Sequence, residues 1–165
     1  MGGISVLILI SILSAIFYFF VAIFLILMAY LLFTYVFESI ALMQIYKNAH
    51  DSGYWQAWIP FYNKYLLGKA AHSNRLGGIL ALNNCLIILL GFYFYHFQSF
   101  HAVLFVVFLL LLLCGFILDC FLSHKIFKQV SARYADILTL FSVLSLGVLR
   151  VIFLFLIRKS SSIDV

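Results

Sequence analysis

From Ile4 to Phe37 the chain runs for 34 residues without a single charged side chain. A helix rises about 1.5 Å per residue, and about 20 residues cross the roughly 30 Å hydrocarbon core of a bilayer, so this run crosses a membrane with several turns to spare. Composition extends the argument to the whole chain: 67% of residues are apolar, 9% are charged, and the mean hydropathy is +1.20. At 165 residues a chain of this kind has length for about four crossings with short connections and for no separate soluble domain. The expected fold is therefore all-α, an integral membrane helical bundle forming one transmembrane domain over residues 1–165. Met1-Gly2-Gly3 supplies no basic n-region and the apolar run far exceeds a signal peptide core, so the first helix is expected to be retained.

Three further apolar stretches follow, giving expected spans at about 4–37, 76–97, 102–122 and 137–157. The connection between the first two holds Lys47, Lys64, Lys69 and Arg75, and that between the last two holds Lys125, Lys128 and Arg133; the turn between the middle two holds no Lys or Arg. The positive-inside rule places loops 38–75 and 123–136 in the cytoplasm and both termini outside, with Arg158 and Lys159 on the outer face. One alternative stays open. If the last segment breaks near Ser142, Ser145 and Gly147 into a re-entrant hairpin, Arg158 and Lys159 return to the cytoplasmic side.

Past Phe37 the pattern becomes amphipathic, with Glu38, Gln44 and Lys47 among Ile40, Leu42, Met43 and Ile45, so the first helix is expected to continue almost to Asn48. The connection then carries both tryptophans and the only proline, in Trp55, Trp58, Pro60, Phe61, Tyr62, Asn63 and Tyr65. Asp51-Ser52-Gly53 is turn chemistry, a short helix is expected over 55–59, and Pro60 stops or kinks it. Aromatic rings with a polar tip suit the headgroup layer. This segment is accordingly an interfacial anchor, or alternatively a docking surface for a peptide or a membrane helix.

The string Trp55-x-Ala57-x-Ile59-Pro60-x-Tyr62-Asn63, with an apolar helix before it and three after, resembles a family of small bacterial multi-pass membrane proteins. A similar membrane segment precedes the catalytic domain of some type I signal peptidases. Here Tyr54 stands directly before Trp55, and His50 stands at a position where the family commonly has Gly. The resemblance implies a bacterial cell membrane as location and implies no activity, since the Ser and Lys catalytic domain of the peptidases is not part of the matching segment.

Intramembrane polar residues are few: Asn83 and Asn84 in the second span, Asp119 in the third and Arg150 in the fourth. An ionised group in hydrocarbon needs a partner or water. Asp119 is expected to reach water or Lys125, Glu38 to meet Lys47 or Lys69, and Arg150 either to snorkel or to find a partner in the bundle, another subunit or lipid phosphate. Asn83 and Asn84 suit interhelical hydrogen bonds. His50, His72, His96, His101 and His124 lack ligand spacing, and Cys120 with His124 makes the one i, i+4 pair of thiol and imidazole. No catalytic residue, metal ligand or cofactor is expected, and the cysteines at 85, 114 and 120 imply no disulfide framework. The dispersed basic residues behind the formal charge of +5 speak for membrane topology and against nucleic acid.

Three functions remain on these grounds. The first is a structural or accessory subunit docked on a larger membrane protein or on itself. The others are a small oligomeric transporter or channel component, and a membrane helper in peptide processing or secretion.

Overall fold

The computed structural model describes residues 2–50, 52–97 and 101–159, without side chains for 2–9, Tyr95 and Phe97. Those residues form six α-helices: α1 Gly2–Asn48, α2 Pro60–Ala70, α3 Asn74–Phe97, α4 Ala102–Val130, α5 Ala135–Leu144 and α6 Val148–Ile157; a 3-10 helix at Tyr54–Trp58 precedes α2. No strand occurs among them, and α1, α3 and α4 are long and apolar enough to cross a membrane. The chain falls into two compact units, residues 1–36 and 37–165.

The first unit lies within α1. Over residues 10–29 its apolar side chains are exposed around the helix, from Leu13 and Tyr18 to Phe24 and Ile26. Two of its polar side chains turn back on their own helix, Ser14 Oγ donating to the Ser11 carbonyl and Thr34 Oγ1 to that of Tyr30, both at 3.0 Å. Hydroxyls satisfied within one helix make no demand on a neighbour.

The second unit has a true core, including Leu42, Tyr46, Leu67, Leu122, Phe127 and Leu154, drawn from α1, α2, α4 and α6. α1 runs on to Asn48, as its amphipathic stretch predicts. Pro60 ends the 3-10 helix and opens α2 at the first helical position, where its missing N–H is not needed and its fixed φ suits the helix. α2 then reverses into α3 through a Schellman turn: Ser73 N–H donates to Gly68 O (2.8 Å), His72 N–H donates to Lys69 O (2.9 Å), and His72 takes the left-handed conformation at φ 51°. The two helices touch through glycine. A Cβ on Gly77 would fall 2.8 Å from both Gly68 Cα and Tyr65 O.

The stretch expected as a fourth span, 137–157, is two ten-residue helices rather than one. A second Schellman turn separates them, with Gly147 N–H donating to Ser142 O (2.8 Å) and Leu146 N–H to Val143 O (3.0 Å). Leu146 and Gly147 both sit at positive φ, 53° and 90°. Ser145 Oγ accepts the Leu149 N–H at 3.0 Å, covering an amide in the first turn of α6. Each helix is about 15 Å long, half a bilayer core. The chain comes back on itself, and the Arg158 carbonyl accepts from Asn48 Nδ2 (3.1 Å) at the C-terminal end of α1. Arg158 and Lys159 therefore end beside Asn48, not at the opposite end expected of an unbroken span. α4 also runs to Val130, beyond the end at 122 suggested by composition, because Ser123, Ile126 and Phe127 pack inside the unit.

Candidate functional site: a buried ion quartet

Glu38, Lys64, Asp119 and Arg150 come from α1, α2, α4 and α6 and meet in one cluster. Lys64 Nζ donates to Glu38 Oε1 at 2.8 Å and to both Asp119 oxygens at 2.9 Å. Arg150 Nη2 donates to Glu38 Oε2 at 2.5 Å, and its Nη1 lies 3.4 Å from Asp119 Oδ1 and 3.3 Å from Ser123 Oγ. Two carboxylates thus face two cations in an alternating ring. Helix rise explains why they meet: Glu38 stands ten residues before Asn48, Asp119 eleven before Val130 and Arg150 eight before Arg158, about 12 to 17 Å from neighbouring helix ends.

The ring is not evenly covered. Glu38 and Arg150 side chains keep 3% and 6% of their surface, Lys64 and Asp119 15% and 16%. One half is sealed and the other brushes the surface. A second polar layer lies next to it, where Asn63 Nδ2 donates to Ser39 Oγ (2.8 Å) and to the Ala57 carbonyl (3.1 Å), fastening α2 and the 3-10 helix to α1. Asn63 Oδ1 is buried without a hydrogen-bond partner. Tyr46 Oη donates to Leu66 O (2.9 Å) and Trp58 Nε1 approaches Met43 Sδ (3.4 Å), closing the same seam.

The sequence marks Asp119 and Arg150 without joining them, and suggests other partners for Glu38 and Asp119 than those they have. Along an unbroken last span Arg150 stands at a different depth from Asp119; the reversal at Leu146 is what returns it to the level of Glu38. Lys64 reads in sequence only as a loop charge. Its signal is the placement of a lysine on α2 four residues after Pro60, on the same segment as buried Asn63.

Of the aromatic segment, Trp55, Trp58, Phe61 and Tyr62 are exposed while Pro60 opens α2; Tyr65 is half-buried, its ring 5.4 Å from that of Tyr62. Asp51 of the expected turn lies outside the described residues. Asn83 Nδ2 donates to the Leu111 carbonyl (3.1 Å), an α3 to α4 tie made possible by Gly115, where a Cβ would lie 2.8 Å from that nitrogen. Asn84 is half-buried.

Cys120 and His124 do not form a working pair, because the imidazole is engaged elsewhere. Thr139 Oγ1 uses its one hydrogen on Ala135 O (2.8 Å), so His124 Nδ1, 2.8 Å away, donates to it, and Nε2 faces Asp136 at 3.9 Å. Both ring nitrogens are directed at α5. Among the described residues no group of three His, Cys, Asp or Glu is placed to hold a metal ion. Compared with known proteins, the chain matches no family model, no curated protein and no solved structure.

Proposed function

We propose that this chain is a multi-pass protein of a bacterial cell membrane that serves as a structural or accessory subunit of a larger membrane complex, with residues 37–159 as a self-supporting unit and residues 2–36 as an apolar contact helix. The observation that carries this reading is the first unit itself, a helix whose apolar side chains over residues 10–29 are exposed on every side and whose Ser14 and Thr34 hydroxyls bond back within it. The quartet supports it, since its four charges cancel within the chain and bind four elements together. The shared end of α1 and α6 and the ends of α2 and α4 carry the basic residues, which supports a cytoplasmic location for that end.

The test is a photo-crosslinking amino acid placed in turn at Leu13, Phe20 and Ile26 in native membranes. A discrete protein adduct of constant mass, formed from one side of the helix, is expected. Adducts with lipid alone at all three positions, together with an activity of the purified monomer, would sink the reading.

A small ion-conducting or transporting assembly is the second reading, favoured by one observation: Lys64 and Asp119 leave one side of the quartet partly open. Ion flux in liposomes that is lost in Arg150→Ala, with the variant folded, selects it.

A further inference from the structure

Removing the quartet, whose charges cancel, leaves eight of the ten basic residues and three of the five acidic ones. Tertiary contacts gather many of these cations at one end of the second unit. Lys69 lies over the Tyr46 ring at 5.2 Å, Lys125 Nζ donates to Ser73 Oγ at 2.6 Å, Gln129 Nε2 donates to Ala70 O, and Asn48 reaches Arg158 O. The ends of α1, α2, α4 and α6 and the start of α3 are thereby tied into one basic face.

Within this face an open cleft of about 470 Å³ is lined by His72, Ser73, Asn74, Arg75 and Leu76. Among the described residues no carboxylate lines it. Arg75 is exposed at its wall, and Lys125, outside the lining, donates to Ser73 of that wall. Because Ser73 Oγ accepts from Lys125, the hydroxyl keeps its own hydrogen to donate. The Lys125 ammonium also lies 5.2 Å from the ring centre of Phe121, which is 47% exposed one turn earlier in α4. The guanidinium and hydroxyl of the cleft wall are thus linked through the Lys125 ammonium to an exposed aromatic ring.

We propose that this cleft binds the phosphate of an anionic membrane phospholipid, with Arg75 and Lys125 on the phosphate oxygens, Ser73 donating a hydrogen bond, and an acyl chain lying on Phe121. Charge favours an anion, and the aromatic surface directly behind the ammonium favours a lipid over a free ion. This site does not depend on the accessory-subunit reading.

The full-length chain in mild detergent, given equal amounts of phosphatidylglycerol and phosphatidylcholine with the same acyl chains, is read by native mass spectrometry. Phosphatidylglycerol is expected to be retained about 25-fold over phosphatidylcholine, at the scale of about five-fold for each of two cations near a membrane surface. Arg75→Gln lowers that retention about five-fold and Arg75→Gln with Lys125→Gln about 25-fold, while Arg75→Lys restores most of it. Arg75 is exposed, so its single variant gives the answer even if the Lys125 change disturbs the α2 to α3 turn. Lys128→Gln with Arg133→Gln, cations that neither line the cleft nor bond to its wall, is the control. Equal retention of the two lipids overturns the site. So does a control as damaging as the paired cleft variant, which would mean diffuse surface charge. Displacement of phosphatidylglycerol by millimolar inorganic phosphate would assign the cleft to a soluble anion and likewise reject the lipid.

Discussion

Residues 10–36 and residues 37–159 are both predominantly apolar, yet they use that character in opposite ways. The first unit turns its apolar surface outward, with Leu13, Tyr18 and Ile26 each about two-thirds or more exposed. The second buries Leu42, Leu67, Leu122 and Leu154 completely and seals charges among them. In a lipid solvent, apolar burial alone gives little preference for one helix partner over another, because the tails are as apolar as leucine. Polar contacts and close backbone approach must supply the specificity. The second unit has both, in the quartet and at Gly68 and Gly77; in the first, Ser14 and Thr34 turn back on their own helix.

The sharpest way to break that contrast is to unbalance the quartet. Arg150→Ala leaves Glu38 and Asp119 sharing Lys64 in a sealed setting, and removal of one partner from a buried pair costs about 3 to 5 kcal/mol. Unfolding in mixed micelles should show this loss, whereas Phe20→Leu in the first unit should shift the same transition by less than about 0.5 kcal/mol, as expected for an exposed site. Glu38→Leu combined with Arg150→Met should cost less than the sum of the two single changes, because no charge is stranded. Additive costs would mean that the four groups do not act as one cluster.

Next in size is the glycine contact. Gly77→Ala puts a methyl group 2.8 Å from the backbone of α2, which the helices relieve only by moving apart, at about 1 to 3 kcal/mol. Gly78→Ala, where nothing lies within 4 Å of the new Cβ, is the matched control and should be neutral or slightly stabilising. If the two variants behave alike, the close approach of α2 and α3 is not what holds the hairpin.

Asn63→Ala is expected to cost about 1 to 3 kcal/mol, since it deletes the donor to Ser39 and leaves the buried Ala57 carbonyl without it. Ser39→Ala should cost less, because Asn63 keeps its bond to Ala57. Equal losses would show that the side-chain pair, not the carbonyl, carries the energy of this seam.

The helices are legible in the sequence wherever one physical signal governs. The uncharged run marks α1, and the apolar stretches mark α3 and the start of α4. Pro60 marks a boundary because its ring and missing N–H act locally. The quartet is not legible, for a different reason: its members lie as far apart in sequence as Glu38 and Arg150, and their common level depends on a reversal that hydropathy does not register. Val143, Leu144 and Leu146 are as apolar as any membrane span. Only Ser142, Ser145 and Gly147 hint at a break, and the turn places a leucine, ahead of the glycine, in the left-handed region.

That leucine gives the smallest expected effect and the most direct check on the reversal. An L-residue with a Cβ loses about 1 to 2 kcal/mol in the left-handed conformation that glycine adopts freely. Leu146 is 72% exposed and at φ 53°, so Leu146→Gly removes little packing while relieving the backbone. The variant should be more stable by about 0.5 to 1 kcal/mol in mixed-micelle unfolding. In an unbroken helix the same change would destabilise by about 1 kcal/mol, the ordinary cost of glycine in a helix interior. The sign alone therefore separates a folded-back α5 and α6 from a continuous span. It also decides whether Arg150 can reach Glu38 at all, and with it the contrast between a unit that seals charge and one that carries none.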